Sequence, residues 1–466
     1  MDFRKIRVVE LAEDVRSKKI SARELTQATL DNIDRLNGEL NAFCSVNGED
    51  AVDQADALDR RIANGEDAGP LAGIPLGVKD LEDAKGFITT YGSALHVEDA
   101  PAAEDSILVA RLRDAGCVIV GKTNTPEFGY KGMTDNIPFG ASRNPWNKER
   151  TPGGSSGGSA AALASGMIPL ATGSDGGGSI RIPASLCGFS GIKTSQGRVP
   201  NGGPKPPGSG ILSVKGPMAL RTKDTAYALD VCVGDHPSDI FALPRSDHDW
   251  YSQLDALNAP SKAIWSPTMG FAKVDREVLS CCEQAVRKLA DNGVEIIEND
   301  AIWTEDPVVY WMPIWAASRA RAQGDLKDTD GWDLIDAGLR FQIELGLTSV
   351  SGADYAKAID ACHNLNLSLQ AAFESAPLII TPTTCGQTPK LDGGGFVNGE
   401  ETPSWVAFTY GINMTRNPAG TIAAGLTKDG MPVGLQVIGP QRQDVSVLRG
   451  MASLEEVIGF DEQANC

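Results

Sequence analysis

Residues 153–184 read GGSSGGSAAALASGMIPLATGSDGGGSIRIPA. Two serine-glycine clusters are separated by a run of small, helix-forming residues, Ser159–Gly166, so the chain can return both clusters to one place. The second cluster sets Gly176, Gly177 and Gly178 directly before Ser179. Three successive residues without Cβ let backbone N–H groups converge on an oxyanion, beside a hydroxyl that can attack a carbonyl. Two flexible turns would account for the composition; the helix between the clusters and the triple glycine before a serine favour a built site. The chain has 51 glycines in 466 residues, about 11% against a usual ~7%, and much of the excess sits here.

Working outward, GIPLGVKD at residues 73–80 is an apolar run punctuated by glycine, and a helix expected over about 105–115 leads into a buried strand at Cys117–Val120. Helix, glycine, buried strand is the rhythm of an α/β domain. Nearer the amino terminus, Leu25, Ala28, Ile33 and Leu36 recur at helical spacing behind a Ser21–Glu24 capping box, which predicts two helices over 8–38. Downstream, PNGGPKPPGSG (200–210) is a loop or linker by composition. Helical patterns such as Arg276–Asn292 and Ala353–Glu374 fill 260–375, after which APLIITPTT and GMPVGLQVIG return to strand-like runs. The expected organisation is one discontinuous α/β domain over 1–466. It comprises amino-terminal helices at 8–70, a core at 71–240, a variable helical insert at 241–375 and a return to the core at 376–466.

Charge excludes some partners. The chain carries 42 Lys plus Arg against 61 Asp plus Glu, a net −19, whereas nucleic-acid binding needs a basic face and anionic membranes attract basic segments. No stretch has signal-peptide or membrane-spanning character, so a soluble, cytoplasmic protein is expected. The 9 cysteines are scattered without a CxxC pair, and the 4 histidines lack the spacing of a helical metal pair, which argues against a zinc hydrolase.

Three short motifs are decoys. Gly116–Thr123, GCVIVGKT, matches a phosphate loop, but its four middle residues read as the strand itself rather than as a turn before a helix. Gly154–Gly158, GSSGG, matches a nucleophile elbow at Ser156, with His363 available downstream, yet the preceding TPGG is turn-like where an elbow needs a strand. Ser190–Lys193 fits SxxK, a pattern short enough for chance.

The span GGSSGGSAAALA followed by GSDGGGSIRIPA resembles the amidase signature family of serine hydrolases, and so does GIPLGVKD around Lys79. The resemblance continues through RLRDAGCVIVGKTNTPEFG, SRNPWN, GPMALRTKDTA and GMPVGLQVIG, covers about residues 8–440, and is weakest over 240–380. It implies a mixed β-sheet core sandwiched by helices and a Ser–cis-Ser–Lys triad without metal or organic cofactor. Ser179 would be the nucleophile, Ser155 the bridging serine and Lys79 the base. The cis peptide bond would fall between Gly154 and Ser155, and the N–H groups of Gly176, Gly177 and Gly178 would form the oxyanion hole. Ser156, Asp175 and Arg181 would brace the two serine loops, although Asp175 and Arg181 can also be read as a structural ion pair only. The chemistry is self-consistent. A serine hydroxyl needs a base, and a lysine, whose ordinary pKa is about 10.4, serves near neutral pH only if burial lowers it by ~2–3 units.

The resemblance implies hydrolysis of a small-molecule amide. Trp303, Tyr310, Trp311, Trp315 and Trp332 lie in the variable region, with Trp311 and Trp315 one helical turn apart. They suit an apolar or aryl amide or an amide oligomer, or else pack the insert's own core. Two alternatives stand beside this reading. One is the glutamine-hydrolysing amidotransferase subunit for transfer-RNA-dependent amidation, from which Ile182 departs because that subunit usually has Gln after SIR. The other is an inactive scaffold. A homodimer is left open.

Overall fold

A computed structural model describes residues 1–466 except 205, 207, 246–248 and 255–259. His248 and part of the expected 200–210 linker therefore lie outside the described residues.

Strands in chain order are β1 (Phe43–Val46), β2 (Pro75–Lys79), β3 (Val118–Thr123), β4 (Leu170–Asp175), β5 (Gly191–Lys193), β6 (Val214–Met218), β7 (Lys262–Trp265), β8 (Glu295–Glu298) and β9 (Ile379–Pro382). A small hairpin, β10 (Phe396–Val397) with β11 (Glu400–Glu401), precedes β12 (Ala419–Leu426) and β13 (Pro432–Ile438). They form a five-stranded sheet of order β1-β3-β2-β4-β6 and a six-stranded sheet of order β5-β12-β13-β9-β7-β8. Both are mixed. In the first, β2 runs parallel to β3 and β4 while the two edges are antiparallel. In the second, β7 is parallel to β8 and β9, and β9, β13, β12 and β5 alternate.

Fully buried runs such as PLGVK in β2 and VIVGKT in β3 form strands covered on both faces, which is why they read as continuous apolar stretches rather than alternating ones. The expected helices form at Val8–Arg16 and Ala22–Leu40, the second opened by the Ser21–Glu24 capping box. Arg276–Asp291 and Gly352–Phe373 are helical as expected. The strand read at Cys117–Val120 runs Val118–Thr123, so Lys122 and Thr123 are strand residues, and no phosphate loop exists there.

Two expectations need correction. The amino-terminal segment 8–70 is not wholly helical, because β1 forms an edge of the five-stranded sheet against β3. The span 241–375 is not a purely helical insert either: β7 and β8 extend the six-stranded sheet. Strands of four residues are too short for a periodicity to declare itself, and β7 finds its partner β9 more than a hundred residues later.

The helix Gly157–Ala164 is buried along its whole length. Its small side chains let it press against neighbouring backbone. A Cβ on Gly158 would come within 2.3 Å of the Asn124 amide nitrogen and 2.4 Å of the Ala42 carbonyl oxygen, so only glycine fits this approach.

Candidate active site

β2 is the central strand of its sheet and ends in Lys79, while the adjacent parallel strand β4 ends in Asp175. Parallel neighbours deliver their carboxyl ends to the same edge, the usual location of a site in α/β proteins. From that edge the chain after β4 turns through Gly176, Gly177, Gly178 and Ser179 into the helix Arg181–Cys187. Ser155 and Ser156 enter from the other side, at the start of the Gly157–Ala164 helix. The Gly154–Ser155 peptide bond is cis. Ser159 ties the layers together, donating to the Thr172 carbonyl at 2.8 Å and sharing a 2.7 Å hydrogen bond with Thr123.

Lys79 is fully buried. Its Nζ donates to three hydroxyls: Ser155 Oγ at 2.8 Å, Ser156 Oγ at 2.8 Å and Ser174 Oγ at 3.0 Å. Burial pulls its pKa down to about 7, against the smaller opposing pull of Glu82 and Asp175. A neutral amine has only two N–H donors, so its lone pair must face one of these three oxygens. Ser155 is one of the three hydroxyls within reach of that lone pair. Ser156 bonds onward to the carbonyl and amide of Ser174, at 3.4 and 3.3 Å. Nothing in the sequence marks the Ser174 contact, because Ser174 reads there as one more residue of a serine-glycine turn.

Ser179 is half-buried, and its carbonyl accepts from the Ser156 N–H at 3.3 Å. Among the described residues its hydroxyl has no hydrogen-bond partner, and the N–H groups of Gly176, Gly177 and Ser179 are likewise unpaired. Gly178 departs from expectation. Its N–H donates to Asp175 Oδ1 at 2.7 Å and is not free to meet an oxyanion. The reason is local: the Asp175 carboxylate stands at the head of the turn and accepts the N–H three residues further on. The available donors are thus Gly176, Gly177 and Ser179.

Asp175 and Arg181 form a fully buried pair joined by two bonds, at 2.9 and 3.0 Å. Burial would raise the Asp175 carboxyl, but Arg181, with further help from Lys193 and Asn413, holds it well below the usual carboxylate range. Asp175 also accepts from the Ile180 N–H at 3.2 Å, so it grips the turn on both sides of Ser179. Arg181 reaches Gln436, Asn413 and the Thr409 carbonyl. The pair is an ion pair that also braces the loop.

Trp311 and Trp315, on the helix Val308–Gln323, stack with centroids 4.7 Å apart. Trp311 Nε1 donates to the Gly176 carbonyl at 3.1 Å. The two rings cover the glycine turn: Cβ atoms built on Gly177 and Gly176 would lie 2.8 Å from Trp311 and 3.0 Å from Trp315. Trp303 instead is buried in the core, and Tyr310 bonds Glu305 at the surface. Of the decoys, His363 is exposed on the helix Gly352–Phe373, Ser190 bonds Glu455, and Lys122 is buried against Asp80 at 3.2 Å. Among the described residues no group of three or more His, Cys, Asp or Glu could hold a metal ion, and no helix is long and apolar enough to cross a membrane.

A model of the amidase family matches residues 24–448. The chain belongs to the amidase family. This amidase is 34% identical over 462 residues to an acylamidase of Rhodococcus erythropolis, covering 96% of this chain and 94% of the relative. It is 33% identical to a glutamyl-tRNA(Gln) amidotransferase subunit from Acinetobacter baylyi, covering 94% and 93% of the two chains. The crystal structure of a bacterial aryl acylamidase of the amidase signature family superposes with a TM-score of 0.91 at 29% identity, covering 98% of this amidase and 96% of that chain. A 6-aminohexanoate cyclic dimer hydrolase complexed with substrate superposes at 0.88 with 28% identity, covering 100% and 99%.

Proposed function

We propose that this amidase hydrolyses a small carboxylic amide, linear or cyclic, through an acyl-enzyme on Ser179. The observation that carries the reading is Lys79, buried, lowered to about 7 and 2.8 Å from Ser155 Oγ. Neutral Lys79 takes the Ser155 proton as Ser155 takes the proton of Ser179, and Ser179 Oγ bonds to the amide carbon. The tetrahedral oxyanion meets the N–H groups of Gly176, Gly177 and Ser179, whose donation is strongest when the carbonyl oxygen carries full charge. Collapse breaks the C–N bond, and the amine leaves with a proton passed back through Ser155. Water then repeats the relay on the ester, releasing acid and restoring Ser179.

The stacked Trp311–Trp315 wall beside the turn supports an apolar or aryl portion in the substrate. The acylamidase and aryl acylamidase relatives point the same way. Glutamine hydrolysis for an amidotransferase is the competing reading, favoured by the Acinetobacter baylyi relative and opposed by Ile182 after Ser-Ile-Arg.

The test is a panel of acylated nitroanilides and simple amides run beside glutamine. Release of nitroaniline without ammonia from glutamine supports the acylamidase reading, and the reverse overturns it. Labelling of Ser179 by a fluorophosphonate separates an enzyme from an inactive scaffold.

A further inference from the structure

Arg319, on the same helix as the two tryptophans, is 3% exposed. The other buried arginine of the site has a carboxylate: Arg181 has Asp175. Arg319 has none among the described residues. Its Nη1 donates to the Phe128 carbonyl at 3.0 Å and its Nη2 to Ser209 Oγ at 2.9 Å. Its Nε is buried with no hydrogen-bond partner among the described residues. The guanidinium lies over the Trp315 ring, 4.4 Å from the centroid. Burial and then the neighbouring Arg321 pull its pKa down only to about 10, so it stays charged at neutral pH.

A guanidinium cannot escape burial by losing its proton as a lysine can, and a buried cation without a counter-charge is costly. Lys79 and Lys193 have that escape, both being lowered to about 7 mainly by burial. Arg319 does not.

Its location says where a counter-charge would come from. Ser209 Oγ lies 3.4 Å from a Cβ built on Gly176, and Trp315 touches the same position. Phe128, the other partner, precedes Gly129, whose Cβ position is 3.1 Å from Ser155 Oγ. The unpaired charge therefore sits between the turn that carries the nucleophile and the turn that contacts the bridging serine. Nε–H and one Nη2–H lie on the same side of a guanidinium, the side that can receive a carboxylate through two parallel bonds.

We propose that Arg319 recognises a carboxylate on the substrate, so that the amide hydrolysed carries an anionic group away from the scissile bond. This rests on the amide-hydrolase reading above and deepens it. The apolar stretch of such a substrate would lie along Trp311 and Trp315, and its anionic end would satisfy the orphan Nε. Arg319 is a specificity residue here and takes no part in proton transfer.

The test compares matched pairs of 4-nitroanilides: succinyl with butyryl, glutaryl with pentanoyl, and adipoyl with hexanoyl. In each pair one member ends in a carboxylate and the other in a methyl group. At least one carboxylated member should exceed its neutral twin in kcat/KM by roughly 10- to 100-fold, the value of a charge-assisted hydrogen-bond pair. In Arg319→Met the ratio of each carboxylated member to its neutral twin should fall to about one, mainly through the KM of the carboxylated member, and Arg319→Lys should restore part of the preference. A measurement on the unaltered protein guards against a folding defect: adipic and glutaric monoamides should slow fluorophosphonate labelling of Ser179, and the neutral diamides of the same length should not.

The proposal is overturned if no pair shows a preference and the monoamides give no protection. It is also overturned if Arg319→Met lowers both members of each pair equally, which would make Arg319 a clamp between two turns. Failure of the amide-hydrolase reading looks different: a folded protein in which Ser179 neither labels nor cleaves any anilide.

Discussion

Lys79 Nζ lies 2.8 Å from the Oγ of Ser155, a residue 76 positions later in the chain. The contact joins the carboxyl end of a central buried strand to the start of a buried helix, so neither partner can turn toward water. Burial at that point, more than any neighbouring charge, pulls the Lys79 pKa down to about 7. The consequences are measurable.

Ser179→Ala should abolish turnover and fluorophosphonate labelling together. Lys79→Ala should lower kcat by orders of magnitude at neutral pH, since the nucleophile loses its base. Near-normal activity of Lys79→Ala across pH 6 to 9 would falsify the assignment of the base.

The pH profile follows from the direction of the Lys79 shift. The reactive form is neutral, so kcat/KM should rise with pH through about 7 and level off above it. Ser174→Ala removes one hydroxyl that accepts from the Lys79 ammonium. A hydrogen bond to the charged form favours that form, so its loss should move the rising limb to lower pH. A limb that stays in place or moves upward would show that Ser174 does not stabilise the ammonium.

Trp311→Phe keeps an aromatic ring on the glycine turn and deletes the N–H that holds the Gly176 carbonyl. One neutral hydrogen bond contributes about 0.5–1.5 kcal/mol, so kcat should fall roughly 3- to 10-fold. The apparent affinity for a neutral amide should move less. A variant indistinguishable from the parent in kcat would remove Trp311 from the account of the oxyanion turn.

Arg181→Met leaves Asp175 charged and buried without its partner. Breaking such a pair costs about 3–5 kcal/mol, and here the carboxylate also holds the Gly178 and Ile180 N–H groups. Urea denaturation should show a loss of that size, with activity falling because the Ser179 turn loosens. A loss below ~1 kcal/mol would mean that the remaining partners of Asp175 carry the turn without Arg181.

Lys79, Ser155 and Ser179 could be named as candidates from the sequence because the motifs that carry the family resemblance are local: a glycine-punctuated apolar run, and two serine-glycine clusters flanking a helix of small residues. The α/β rhythm was legible for the same reason, since strand and helix periods are written over roughly five to twenty neighbouring residues. The tertiary structure alone decided the rest. It showed that the Gly178 N–H belongs to Asp175, that β7 and β8 complete a sheet rather than a helical insert, and that Asn413 reaches Asp175 from 238 positions away. It also showed that Trp311 and Trp315 cover the glycine turn and that Arg319 is buried without a counter-charge among the described residues. Those facts depend on which distant elements pack together, and hydrogen-bond partners and burial at such contacts leave no periodic mark on the chain. The sequence therefore determined which residues are candidates for chemistry, and the packing of remote helices decided which donors remain free and where a buried cation stands without a counter-charge among the described residues.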